Sequence, residues 1–393
     1  MAWAGKAMGV TDPTDMMGVT GPTDFMGVAT GVAPSTPTLW TWGDNSGISA
    51  TAGMLGHGDL VHRSSPVQVG SLETYSQGDI GGYHMGVVKT DSSLWMCGED
   101  DWGQLGLGVN GARISSPVQV GGLTTWALAV VGMFQQSAGI KTDGTLWAWG
   151  LNNYGELGTG NTTHYSSPVQ VGGLSNWSKV RYNSYDGTIA LKTDNTIWSW
   201  GRNNFGQLGV NDTTDRSSPT QIGVLTTWAS IAAGYIHFAA IKNDNTLWTW
   251  GYNHRGQTGH GDVVTRSSPV QVGNLSDWAS VASQGYWTIA IKTDGTMWAW
   301  GLNDYGNLGQ GNITRVSSPV QIGSLTTWSK VEAGEFHWLA LKTDSTLWTC
   351  GYNYRGALGL GDVVPISSPV QVGSLTTWAS VFAGKDSSGG IDT

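Results

Sequence analysis

Three histidines, His84, His237 and His337, each close a G-x-x-H tetrapeptide. An imidazole recurring at one spacing invites a reading as a metal ligand or general base. Equivalent places elsewhere in the chain hold Gln135, Asp186, Trp287 and Ser387. A metal needs several ligands converging on one point, and histidines in units that are not neighbours do not supply them, so a structural role is expected. Asp143, Asp194, Asp244, Asp294 and Asp344 precede Gly, Asn or Ser and read as turn residues. Asp100 and Asp101 form an acidic pair expected on a surface loop, with no matched carboxylate at a visible spacing. The serines of the SSP segments lack the strand-to-helix turn of a nucleophile elbow. The glycines of the G-x-L-G-x-G segments lack the helix N-terminus that a phosphate cradle requires. No catalytic residue, metal or cofactor is expected, and the chain is read as a non-enzyme. Sequons at Asn161, Asn176, Asn211, Asn274 and Asn312 are what chance yields in so Ser- and Thr-rich a chain.

These residues are positioned by a repeat of about 50 residues. Its first marker is a glycine that ends a tryptophan-rich strand, at Gly43, Gly98, Gly150, Gly201, Gly251, Gly301 and Gly351. Its second is the proline of SSPVQVG, at Pro66, Pro117, Pro168, Pro219, Pro269, Pro319 and Pro369. Nine residues after each proline stands Tyr75, and then Trp126, Trp177, Trp228, Trp278, Trp328 and Trp378. Residues 269–301 read as four short strands, PVQVG, WASVAS, TIAIKT and TMWAWG, the complement of one propeller blade. Asp294-Gly295 between the last two is expected to form a type I′ hairpin turn. Trp298 and Trp300 project from one face of their strand, Met297 and Ala299 from the other, so both faces are apolar and sandwiched between neighbours. The chain stops at GGIDT, after the third strand of its last unit, and its first ordered segment, TPTLWTWG, is a fourth strand without a blade. The expected fold is therefore all-β, a seven-bladed β-propeller of four-stranded blades over residues 36–393, closed by pairing of the N-terminal and C-terminal strands, which removes exposed sheet edges.

The pattern IKTDGTLWAWGLNNYGELGTG, followed by SSPVQVGGL and W-x-x-V, resembles the regulator of chromosome condensation repeat family. The WG-x-N-x-x-G-x-L-G spacing holds in six of seven units, with Cys for Trp in two, and the first unit inserts five residues around 48–52. The resemblance implies a seven-bladed propeller. It leaves function open, because members include a nucleotide exchange factor, chromatin binders, enzyme inhibitors and bacterial or bacteriophage proteins.

Composition narrows the partners. With 19 basic and 28 acidic residues the net charge is −9, and no basic run offers a phosphate-neutralising surface for nucleic acid. No apolar run approaches membrane-spanning length, and the opening MAWAGKAMGV lacks the pattern of a secretory signal. Cys97 and Cys350 occupy one slot of the repeat, two blades apart, too distant to bridge.

In a repeat protein the positions that vary between units mark the surface free to specialise. One varying set follows the WG step and the other precedes the third strand. Together they nominate a binding face of Tyr83, Trp102, Tyr154, Tyr185, Phe205, Tyr235, Arg255, Trp287, Tyr305, Trp338 and Arg355, rings and polar groups suited to a protein or a glycan. Residues 1–35 carry a nine-residue quasi-repeat beginning at Met8, Met17 and Met26, and Met17, Phe25 and Met26 are read as a docking arm for another subunit. The expectation from these features is a bacteriophage virion surface or tail component that contacts host glycan or neighbouring structural subunits. The alternative is a soluble protein-binding propeller in a cytoplasm, related to inhibitors or exchange factors.

Overall fold

The structure, a computed structural model, describes residues 36–47, 53–71 and 73–393. The extension 1–35 and its candidate arm Met17, Phe25 and Met26 lie outside the described residues.

The described residues form seven four-stranded antiparallel sheets. Blade 1 comprises Tyr75–Ile80, His84–Lys89, Leu94–Glu99 and Arg113–Gln119. Blades 2 to 6 repeat this order, their first strands opening at Trp126, Trp177, Trp228, Trp278 and Trp328. Blade 7 is built from both ends of the chain, as Trp378–Ala383, Ser387–Asp392, Thr38–Gly43 and Arg63–Gln68. First strands of successive blades touch one another, so they are the innermost. The SSPVQ strand is the outermost and exposes Val118, Val270, Val320 and Val370.

That arrangement corrects the phase of the expected blade. SSPVQ does not open its unit but closes the preceding sheet, with Trp248 opposite Gln271 and Thr249 opposite Val270. The cause is the glycine after each tryptophan: Gly251 sits at φ 99°, which only glycine tolerates readily, and there the third strand turns into the loop that brings the outer strand back alongside. The seam consequently joins two strands from each terminus, with Thr38 opposite Asp392 through Gly43 opposite Ser387.

The hairpin turn also differs from type I′. Gly144 and Asn195 have positive φ, but Asp143 and Asp194 do not. Gly144 N–H donates to the Lys141 carbonyl at 2.9 Å, and Lys141 N–H donates to the Thr145 carbonyl at 3.0 Å, closing a three-residue loop with a left-handed last residue. The carboxylate selects it: Asp143 Oδ1 accepts both the Thr145 N–H (2.9 Å) and the Thr145 hydroxyl (2.7 Å). That same hydroxyl accepts the Trp147 indole N–H at 2.9 Å, and the Lys141 ammonium lies 3.7 Å from the Trp147 ring centroid. At the seam this turn is cut, and Asp392 supplies the missing carboxylate to the N–H and hydroxyl of Thr38, which in turn accepts the Trp40 indole N–H.

The core lies between blades. Trp200 and Trp300 are buried, and their indole N–H groups donate to the carbonyls of Glu156 and Gln257 in the preceding blade, both at 2.9 Å. Blade 6 has Cys350 in this slot, and the cross-strand neighbour Trp338 takes over. Trp338 is wholly buried and donates to the Asn307 carbonyl at 3.0 Å, the counterpart of Gln257. In blade 1 the cross-strand neighbour of Cys97 is the buried Met85. Both cysteines are free and buried.

Candidate functional site

The loops that join first to second strands, and those that follow each WG glycine, open on the same face. They bring the two varying sets together. Around the central axis the first-to-second-strand loops are stapled to one another. Gly82 N–H donates to the Met133 carbonyl, Ser184 to Gly234, Tyr235 to Gly285, Glu335 to Gly384 and Lys385 to Gly81, at 3.0 to 3.3 Å. At the two remaining interfaces side chains substitute: Gln136 Nε2 donates to Asp186 Oδ1 at 3.0 Å, and the Trp287 indole to the Glu335 carbonyl at 2.8 Å. Backbone amides tied to a neighbour on each side cannot sag, so the side chains between them stand on a rigid rim.

The structure corrects two members of the nominated face. Trp287 and Trp338 are fully buried, because each lies within its second strand, where side chains point between blades: Trp287 ties blade 5 to blade 6, and Trp338 fills the space left by Cys350. Arg355 is largely consumed. Its guanidinium donates to Asp44 at 2.8 Å and to Ser46, and lies 4.8 Å from the Tyr354 ring, tying blade 6 to the seam blade. Beside it a hollow of about 250 Å³ is lined by Asp44, Tyr83, Lys385 and Asp386 among others. Trp102 is exposed and meets His164 edge-on at 5.0 Å. Tyr83 stands beside Phe134, with the Lys385 ammonium 5.6 Å from its ring. Tyr305 packs against Phe336 and Tyr352 at 5.0 and 4.3 Å.

The remaining nominees gather into one patch over blades 2 to 5. Tyr185 touches Phe205 (6.1 Å) and Tyr235 (6.3 Å), Tyr235 stacks on Tyr286 (4.4 Å), and Phe205 and Tyr286 both meet Tyr252 (4.9 and 6.1 Å). The Arg202 guanidinium lies 4.3 Å from the Tyr154 ring and 4.0 Å from that of Tyr185, and pairs with Asp186 at 3.7 Å. Arg255 is exposed at the margin. Sequence reasoning missed Arg202, Tyr252 and Tyr352. The signal lay in the residue after each WG, which varies as Asp44, Glu99, Leu151, Arg202, Tyr252, Leu302 and Tyr352.

Burial shapes the charges here. It raises the Asp186 carboxyl, against the opposing pull of Arg202. It pushes Glu335 to about 7, although Lys385 pulls it down, and Asp386 to about 6. Glu156 reaches about 7, while accepting the N–H groups of Asn153 and Tyr154. Asp100, expected on the surface, is buried and accepts the Leu105 N–H at 2.8 Å, in the slot that Asn152 and Asn203 fill elsewhere.

The histidines lie beneath this face. His84, His237 and His337 are buried, and their Nε2 atoms meet Ser137 (2.8 Å), Thr288 (3.0 Å) and Ser388 (2.8 Å) in the next blade. Each hydroxyl donates onward to a carbonyl, of Gln104, Gln257 or Ala357. Desolvation lowers the three imidazoles to about 4, 3 and 4, so they are neutral interblade staples. Among the described residues no group of three His, Cys, Asp or Glu is placed to hold a metal ion.

The model of the regulator of chromosome condensation (RCC1) repeat matches residues 143–183, 194–241, 244–291, 294–341 and 344–391, more than half of the chain. The chain belongs to this family. It is 30% identical over 191 residues to the ultraviolet-B receptor UVR8 of Arabidopsis thaliana, covering 48% of this chain and 42% of that one. It is 31% identical over 194 residues to the human E3 ubiquitin-protein ligase HERC2, covering 48% of this chain and 4% of that one. The match thus spans less than half the length of these relatives. Among solved structures, human WBSCR16 superposes with a TM-score of 0.80 at 19% identity, covering 91% of this chain and 99% of that one. Prp20p of Saccharomyces cerevisiae superposes with 0.77 at 21% identity, covering 92% of each. These likenesses establish the RCC1 propeller fold.

Proposed function

We propose that this RCC1-repeat propeller is a non-catalytic binding module that holds a protein partner on its loop face. The carrying observation is that side chains varying between near-identical units converge there on one contiguous aromatic surface, from Tyr154 to Tyr286, above a rim stapled at every blade interface. Rigid rings supply contact area at low entropic cost. The relatives support the protein-binding alternative: Prp20p has binding properties toward Gsp1p and histones. A virion surface, host attachment and glycan binding find no support among them. Among the described residues no helix is long and apolar enough to cross a membrane.

The test is cross-linking mass spectrometry on partners captured by the protein from extracts of its source. Cross-links falling within the loop face, and lost on Tyr235→Ala with Tyr286→Ala, are expected. Cross-links confined to the opposite face or the outer rim, or turnover of a substrate by the pure protein, would overturn the reading.

A further inference from the structure

The aromatic patch divides into a part that already holds a cation and a part that does not. In the first, Arg202 lies over the rings of Tyr154 and Tyr185 with Asp186 beside it. The chain itself thus shows that this surface seats a guanidinium, by ring quadrupole and carboxylate together. In the second, Tyr235, Tyr252 and Tyr286 are partly exposed, Tyr286 touches the other two, and His254 stacks on Tyr252 at 4.5 Å; among the described residues no lysine or arginine lies over the three rings. Tyr235 nevertheless feels the charges of both Asp186 and Glu335, opposed by that of Lys385. The Glu335 carboxylate, largely buried, makes no ion pair or hydrogen bond among the described residues; Lys385 and Asp386 stand near it.

We propose that the Tyr235, Tyr252 and Tyr286 surface, bordered by Asp186 and Glu335, is the seat of an arginine presented by the protein partner. This rests on the reading of the loop face as a partner-binding surface. Charge complementarity selects the occupant. A carboxylate without an ion pair beside stacked rings attracts a cation and repels an anion. The chain's net charge of −9 draws a basic segment toward it. Arginine is favoured over lysine because a planar guanidinium both stacks on the tyrosines and engages a carboxylate with two parallel N–H bonds. Arg255, close enough to influence Tyr286, works against the occupant from the margin.

The probe is a capped hexapeptide carrying two arginines, compared by calorimetry with its citrulline counterpart, which keeps shape and loses charge. The arginine peptide is expected to bind about tenfold more tightly. Glu335→Gln is expected to remove most of that difference, Tyr286→Leu to weaken binding several-fold while retaining apolar area, and Arg255→Gln to strengthen it. Val370→Thr, on an outermost strand away from the loop face, serves as the control and is expected to leave binding unchanged. Equal binding of the two peptides, no binding of either, or indifference to Glu335→Gln would overturn the proposal. If cross-links from a captured partner still map to the loop face in those cases, the general reading survives and only the arginine seat is lost.

Discussion

The two faces of this propeller are built from the same repeat and have diverged to different degrees. On the face of the second-to-third-strand turns, an acidic residue, a hydroxyl and a tryptophan recur almost without change, as Asp143, Thr145 and Trp147 or Asp294, Thr296 and Trp298. Even the severed turn at the seam is rebuilt with Asp392. On the loop face equivalent positions hold Leu151, Arg202, Tyr252 or Leu302. Where a side chain carries the turn and staples the strand beneath it, every unit needs the same residue. Where the backbone is already tied to its neighbours, the side chains are free to differ.

The largest losses are expected from the shared interblade core. Trp200→Ala removes a buried indole and its bond to Glu156 and is expected to cost about 3–5 kcal/mol in denaturant unfolding. Tyr305→Ala on the loop face is expected to cost less than about 1 kcal/mol; comparable losses would erase the distinction. Trp338→Leu should cost about 2–4 kcal/mol, and adding Cys350→Trp should restore much of it, since the indole returns to the slot it occupies in other blades; additive losses would refute the exchange of roles between these neighbours.

Acidity separates the two layers by sign. The folded pKa of His237, about 3, lies below its ordinary 6.5, so its contribution is complete above pH 6.5 and is lost as pH falls toward 3. That of Glu335, about 7, lies above its ordinary 4.5, so its contribution is present below pH 4.5 and lost as pH rises through 7. Glu335→Gln should therefore raise the thermal midpoint relative to the parent more at pH 8 than at pH 5. A pH-independent difference would remove the buried carboxylate from the account. The smallest effect expected is at the repeated turn, where Thr196→Val removes the hydroxyl between Asp194 and Trp198 and should cost about 1 kcal/mol or less.

The architecture was legible because a period survives in every unit and its two ends complete each other. The phase of the blade was not, since a repeat shows the order of strands but not which neighbours pair; the left-handed glycine of WG decides that. The site was half legible. Variation pointed to Tyr154, Tyr185, Phe205 and Tyr235, which the structure gathers into one patch around Arg202. It misled at Trp287 and Trp338, where a change in one unit repairs internal packing around Glu335 and Cys350. Variation alone does not distinguish a side chain facing a partner from one facing a vacancy in its own core.

The seam also imposes a timetable. Thr38–Gly43 is synthesised before all the other strands described, yet half of its hydrogen bonding waits for Ser387–Asp392, the last of the described strands to be made. Until that partner has been made, the nascent chain therefore carries a bare β-edge at Thr38–Gly43. In that interval the edge is open to capture by another copy, so shielding it during synthesis is a condition of yield.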